Sequence, residues 1–321
     1  MVLVLRGCIP KFDELLFWTG NLSYAFSSSI SICKLFTASD RVIVMYLTQQ
    51  DGFVLIHLLT AFFAFITIVV QSVNIVRVFV YQKGKQPKIM LYTICWTFVF
   101  SIVAFLHSVH MALIIEGHLE RLDEILYWTG NLAYSINASI SICNLFIAVD
   151  RVLAMLRPVK YFSYHGIFLE AIVVIFTVLP TLTFVVLFAV NRHYESPSEV
   201  KAFVDYQSSS VIFFLHYFDV GTLLANVIVS WLFVKELRAF RRKILNLVPV
   251  QWVSTSRVNQ TVLYQIILEF IILIIPFFVT ATVNYACQTS WPDLIGPYTL
   301  TLFALFTAFC SVLYSWQLFK T

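Results

Sequence analysis

Apolar residues fall into seven long runs between residues 53 and 318, separated by short polar segments. The runs cover 53–80, 89–115, 125–149, 167–191, 211–234, 261–284 and 296–318. A helix of about 20 apolar residues crosses the ~30 Å hydrocarbon core of a bilayer, so each run predicts a membrane-spanning helix. The alternation expected of a transmembrane barrel strand is missing. In lipid, backbone polar groups must be satisfied within the segment, which also selects helices. The expected fold class is an all-α membrane protein: a seven-transmembrane helix bundle with one extra N-terminal helix, described below.

Composition agrees with this pattern. The chain is 60% hydrophobic and 12% charged, with 31 phenylalanines, and its mean hydropathy is +0.86. Soluble domains carry roughly 25% charged residues; this chain needs the bilayer as its solvent. The net charge of +4 lies in short loops and reads as orientation, not nucleic-acid binding. Cys8, Cys33, Cys95, Cys143, Cys287 and Cys310 have the spacing of neither a zinc site nor a disulfide framework. The stretch Met1–Cys8 is too short for a signal-peptide core, and Pro10-Lys11 interrupts it. No nucleophile–base pair, phosphate loop or metal cluster stands out, so neither an enzyme nor a cofactor is expected. His107 and His110, one turn apart, lack the further ligands a metal needs.

Charge in the connections sorts by side. Lys83, Lys85 and Lys88 follow the first run, and Arg151, Arg157 and Lys160 follow the third. Lys235, Arg238, Arg241, Arg242 and Lys243 follow the fifth, with Arg257 beyond. The alternate connections are acidic or mixed, with Glu116, Glu120, Arg121, Asp123 and Glu124, then Arg192, Glu195, Glu199, Lys201 and Asp205, then Asp293. The positive-inside rule puts the basic set in the cytoplasm. The N-terminus of helix 53–80 is then outside and the C-terminus cytoplasmic.

The end of the third run carries the most specific motif. It reads Asp150-Arg151-Val152-Leu153-Ala154-Met155-Leu156-Arg157-Pro158-Val159-Lys160-Tyr161. This resembles the D-R-Y-L-A-I-x-x-P-L-x-Y string of rhodopsin-type G-protein-coupled receptors, with Val152 in place of the tyrosine. Weaker likenesses are Asn74 in the first run, Phe270 and Pro276 in the sixth, and Tyr314 in the seventh. Leu273 and Ile274 replace the family's Cys-Trp, and Cys310 and Ser311 replace its Asn-Pro. The second run lacks the usual aspartate. Neither the top of the third run nor the 192–210 loop has the cysteine of the usual external disulfide. The chain runs only about three residues past the last span, so no eighth helix and no phosphorylated tail are expected. With these departures and its Phe-rich body, the chain is similar to the nematode serpentine chemoreceptors over about 53–320.

That resemblance implies a plasma-membrane receptor, in a sensory cilium for a chemosensory cell, whose partners are a small-molecule ligand, the lipid bilayer and a heterotrimeric G protein. It implies that Arg151, restrained by Asp150, meets the G protein, with Pro158 in the docking loop and Arg238, Arg241 and Arg242 nearby. Ligand-facing candidates are Asn131, Tyr134 and Asn137 in the outer half of the third run; the alternative for these is packing against neighbouring helices. His216 and Asp219 in the fifth run are further candidates, His216 being either a partner of Asp219 or a ligand contact. Tyr285 and Tyr298 flank the last outer loop and read as vestibule lining or interface anchors. Glu269, Pro276 and Tyr314 are switch candidates. A carboxyl such as Asp219 or Glu269 inside the membrane costs at least ~2.5 kcal/mol when charged, so each should face the interior, be protonated or be paired. Pro276 should bend the sixth helix and make a pivot.

The chain also contains a repeat. Residues 13–45 match 123–155 at 21 of 33 positions, from Asp13-Glu14 with Asp123-Glu124 to Asp40-Arg41-Val42 with Asp150-Arg151-Val152. One helix is copied, not a bundle as in transporters. If the copy crossed like its twin, every later helix would invert against the loop charges. It therefore either crosses in reverse or is a remnant of gene duplication or mis-splicing, the reading favoured here. The chain then divides into a duplicated segment, 1–52, and a seven-transmembrane receptor domain, 53–321. The rival functional readings are a polytopic transporter or channel and a non-functional product of a tandem receptor gene cluster.

Overall fold

The computed structural model describes residues 49–81, 88–119, 122–156, 166–192, 203–244, 252–280 and 298–320. The chain divides into two units, Met1–Gly52 and Phe53–Thr321. The duplicated helix at 13–45 lies outside the described residues.

Among the described residues, seven helices are long and apolar enough to cross a membrane. They are α1 (Gln49–Tyr81), α2 (Lys88–Ile115), α3 (Asp123–Leu156), α4 (Gly166–Val190), α5 (Ser209–Ile244), α6 (252–280) and α7 (Tyr298–Lys320). A short 3-10 turn, Phe203–Tyr206, precedes α5. The seven expected runs all appear as helices, and α3, α5 and α6 extend well beyond their apolar limits. α3 continues to Leu156, which places Asp150 and Arg151 inside the helix and not at its end. Leu153, Ala154, Met155 and Leu156 are strong helix formers, so nothing stops the helix at the charged pair. α5 has 36 residues, about 54 Å at the helical rise. That exceeds the ~30 Å apolar layer, so its basic end projects beyond the lipid.

The bundle is arranged inside-out relative to a soluble protein. Phe62, Val76, Phe168, Leu179, Tyr217 and Ile228 are large and exposed, as lipid-facing positions should be. α3 is the axis. Nineteen of its residues are buried, and it packs along α2, α4 and α5. Its buried face is rich in small residues, including Gly130, Ala133, Ala138, Ser139 and Ser141, which let neighbouring backbones approach closely.

α6 is not regular. The helix Trp252–Glu269 opens into a π turn, Phe270–Ile274, in which the Ile275 N–H donates to the Phe270 carbonyl. The wide turn immediately precedes Pro276, whose ring would clash with the carbonyl four residues back in a regular helix. An irregular turn before a proline is an established way to absorb that clash. The helix thus widens in the turn just before Pro276.

A buried hydrogen-bond group joins α1, α2 and α7. The Asn74 amide donates to Gln71 Oε1 at 2.9 Å and to the Ser311 carbonyl at 3.2 Å. Ser315 donates to Asn74 Oδ1 at 2.6 Å, and Gln71 donates to Thr97 at 3.0 Å. Interhelical bonds in lipid are worth about 0.6 to 2 kcal/mol each. The Asn74→Ala variant should therefore lose about 1–2 kcal/mol, read as a lower unfolding midpoint in detergent; an unchanged midpoint would show that Gln71, Ser311 and Ser315 re-pair without it.

Candidate functional site

The residues that organise the bundle lie at three levels along α3. At its first turn Asp123 and Glu124 stand at the helix N-terminus, where the helix dipole favours acidic groups. Arg192, at the end of α4, grips Glu124 through both guanidinium nitrogens at 2.8 and 3.0 Å. The two-pronged geometry makes this a strong kind of ion pair, and the guanidinium also lies 4.2 Å from the Tyr127 ring centre. The Tyr206 hydroxyl donates to Asp123 at 2.7 Å, and Arg192 and Gln207 pair as a single antiparallel bridge. The Tyr127 hydroxyl donates to the Phe188 carbonyl of α4 at 2.7 Å.

These contacts hold Phe203 against the bundle interior. A Cβ at Gly130 would lie 2.5–2.7 Å from Cβ, Cγ and Cδ2 of Phe203, so only glycine fits there. Phe203 stacks on Tyr134, with ring centres 5.3 Å apart, and meets Phe188 edge-on at 5.3 Å. The segment before α5 is thus a cap, tied to α3 without a cysteine. Tyr134 is buried beneath it, and Thr299 at the start of α7 lies within hydrogen-bonding reach of its hydroxyl. Tyr298 reaches Thr280 at the end of α6. Of the ligand candidates, Tyr134 lies beneath the cap, while Tyr298, next in sequence to Tyr134's neighbour Thr299, turns to Thr280.

The other candidates are placed differently. Asn131 is turned to α4, where its amide donates to the Val185 carbonyl at 3.2 Å and its oxygen accepts from Ser135 at 3.1 Å. That is the packing alternative, not the ligand-facing one. Asn137 is buried one turn below Tyr134, and its Oδ1 has no partner among the described residues. The His216 ring packs on Phe277 of α6 with centres 4.6 Å apart. Asp219 Oδ1 is shut off from solvent without a partner among the described residues, so the proposed His216–Asp219 pair is not formed. Tyr285 lies outside the described residues.

A second level lies near mid-bundle. Asn226 of α5 donates to Glu269 of α6 at 2.5 Å and to the Ser141 carbonyl of α3 at 3.3 Å. One turn along α6, the Gln265 amide donates to Asn144 of α3 at 2.7 Å, and the Tyr314 hydroxyl of α7 donates to Gln265 Oε1 at 3.0 Å. All of these side chains are buried. Glu269 and Tyr314 thus belong to one polar cluster spanning four helices, directly beside the π turn. Asn226 and Gln265, its central links, were not singled out from the sequence. A polar residue seven positions after Asp219 and one four before Glu269 are the helical spacings that would have found them.

Residues 52–321 match the family described as serpentine type 7TM GPCR chemoreceptor Srbc. The chain belongs to the Srbc family. No curated protein matches it. The Srbc match covers the whole seven-helix bundle, whereas the duplicated stretch at 13–45 lies ahead of it. An Srbc protein is a membrane-embedded chemosensory receptor of GPCR type, and the family is one of receptors, not enzymes.

In this Srbc chain the third level is the charged pair. Arg151 donates to Asp150 through both Nε and a terminal nitrogen, with Nε at 2.8 Å. The side chains are 13% and 4% exposed, so the pair is folded onto the bundle. Arg238 is exposed on the projecting part of α5, and Arg241 and Arg242 lie on its last turns. Pro158 is outside the described residues. Among the described residues Cys95, Cys143 and Cys310 are free thiols and no group of metal-binding side chains forms. Replacing Gly130 with Ala should push Phe203 out of its notch, with an overpacking cost of about 1–3 kcal/mol; thermal unfolding of the variant in detergent reads this directly, and a wild-type midpoint would mean the cap moves freely.

Proposed function

We propose that the chain is a chemosensory receptor that binds a small ligand under the cap, between α3, α5, α6 and α7, and signals through a heterotrimeric G protein at the opposite end. The observation that carries this reading is the buried cluster of Asn144, Asn226, Gln265, Glu269 and Tyr314, which links those four helices between the two ends. Asn144 Nδ2 and Ser141 Oγ have no partner among the described residues. A cluster with unmatched polar atoms is one that a second packing can satisfy better, and a ligand acts by favouring one packing over the other. The π turn next to Glu269 is the natural place for α6 to change shape.

At the far end, Arg151 and the basic end of α5 form the G-protein contact, with Asp150 holding Arg151 until the partner competes for it. Pro158, Arg238, Arg241 and Arg242 belong to the same surface. The loop charges support a plasma-membrane orientation with that surface in the cytoplasm and the cap outside. Residues 1–52 carry a duplicate of the third helix ahead of the receptor domain at 53–321, and Arg41 takes no part in coupling.

The test is nucleotide exchange on a Gα subunit by the full chain in lipid nanodiscs. Arg151→Ala should abolish receptor-stimulated exchange while ligand binding persists. The Glu269→Gln variant should shift ligand-free exchange, because the Asn226 contact changes character. Exchange unaffected by Arg151→Ala would remove the signalling reading, and an unaltered baseline in Glu269→Gln would return Glu269 to a packing role.

A further inference from the structure

The contact between α3 and α5 sets their depth register. Asn226 reaches the Ser141 carbonyl, so positions 226 and 141 are level. α3 and α5 cross in the same direction, with one crossing, α4, between them. Asp219 precedes Asn226 by seven residues, as Tyr134 precedes Ser141. Seven residues are two helical turns, about 10.5 Å, and return to the same face. Asp219 therefore stands at the depth of Tyr134 on the face of α5 that turns to α3. It lies between the buried Leu215 and Leu223. Asn137 falls between Tyr134 and Ser141 on the facing stripe of α3.

Each of these two residues presents an oxygen acceptor, Asn137 Oδ1 and Asp219 Oδ1, with no partner among the described residues. Asn137 is 5% exposed. Most buried side-chain polar atoms are paired, and these two unmatched acceptors sit about one helical turn apart in depth on the facing stripes of α3 and α5. No basic side chain answers them. Among the described residues in the cap half of α3, α5, α6 and α7, His216 is the one basic group, and its ring packs on Phe277. Aromatic faces close the space, with Phe203 stacked on Tyr134.

The geometry points to a site for a small organic amine, whose ammonium donates hydrogen bonds to Asp219 and Asn137 beneath Phe203. The assignment rests on the receptor reading above and deepens it by naming the ligand class. An ammonium carries several N–H donors and no acceptor, the complement of two lone acceptors. Its charge cancels that of an ionised Asp219, which removes the cost of a lone carboxylate in lipid. An anionic ligand would meet two acceptors and no basic group, so it is rejected by repulsion and desolvation. Both acceptors are sealed from solvent, so a ligand reaches them only when the surrounding packing opens.

The experiment uses the full chain in nanodiscs with three probes on one scaffold: phenethylamine, phenethyl alcohol and hydrocinnamate. Unfolding midpoints report binding to the folded state, and nucleotide exchange on Gα reports signalling. Phenethylamine should raise the midpoint with concentration, at least about tenfold more potently than the alcohol or the acid. Asp219→Asn should weaken the amine about tenfold or more and leave the alcohol unchanged. Equal potency of the alcohol or acid, an unweakened amine in Asp219→Asn, or no stabilisation by the amine at ~10 mM would each overturn the assignment. If Asp219→Asn does not fold, the wild-type comparison of amine with alcohol decides alone. Arg151-dependent exchange driven by the acid or alcohol would sink the amine site while the receptor reading stands. Amine binding without exchange would do the reverse.

Discussion

A polar side chain in lipid finds its partner on another helix or pays the full cost of burial without one, and among the described residues α3 makes more of these bonds than any other helix. Asn131 and Ser139 reach backbone carbonyls of α4, Asn226 of α5 reaches the α3 backbone at Ser141, and Gln265 of α6 reaches Asn144. Each bond is worth only about 1 kcal/mol, yet together they fix rotation and depth for four helices around one axis. Small residues along the same helix make the approach possible. The bundle does not depend on a hydrophobic driving force between helices, because lipid is as apolar as the residues it would bring together. Packing and polar matching do that work, and both converge on α3.

The two ends of α3 are closed in different ways. At one, an ion pair, a tyrosine hydroxyl and a phenylalanine lodged on a glycine fasten the segment before α5. Every part of this fastening is non-covalent, so the cap can open without breaking a bond. At the other, Asp150 and Arg151 satisfy each other on the last turns of the helix. A partner that takes Arg151 must outcompete a carboxylate one residue away. Between the ends the polar cluster touches α3, α5, α6 and α7 and abuts the π turn that Pro276 requires. The receptor reading and the amine site both draw on this continuity.

The fold was largely legible in the chain. Seven apolar runs gave seven helices because run length against bilayer thickness leaves little choice. The Asp150-Arg151 string carried the family resemblance, and the match over residues 52–321 shows it. Helix ends were less legible. α3 and α5 outrun their apolar stretches because helix propensity, not hydropathy, decides where a helix stops once it leaves the lipid. The candidate site was legible only in parts. Tyr134 lies beneath the cap, while Asn131, on the same helix and nearly the same depth, faces α4. Spacing along one helix assigns a residue to a face, but not to the neighbour that the face meets.

By itself, then, the sequence determined the number of crossings, the family and the expected side of each loop, since these follow from local composition summed along the chain. Tertiary structure alone decided that Phe203 rests on Gly130, that Asn226 and Gln265 complete the cluster around Glu269 and Tyr314, and that Asn137 and Asp219 keep unmatched oxygens on facing stripes of α3 and α5. Those pairings join residues tens to more than a hundred positions apart in the chain. They depend on how each helix is rotated and how deep it sits, and hydropathy contains neither quantity.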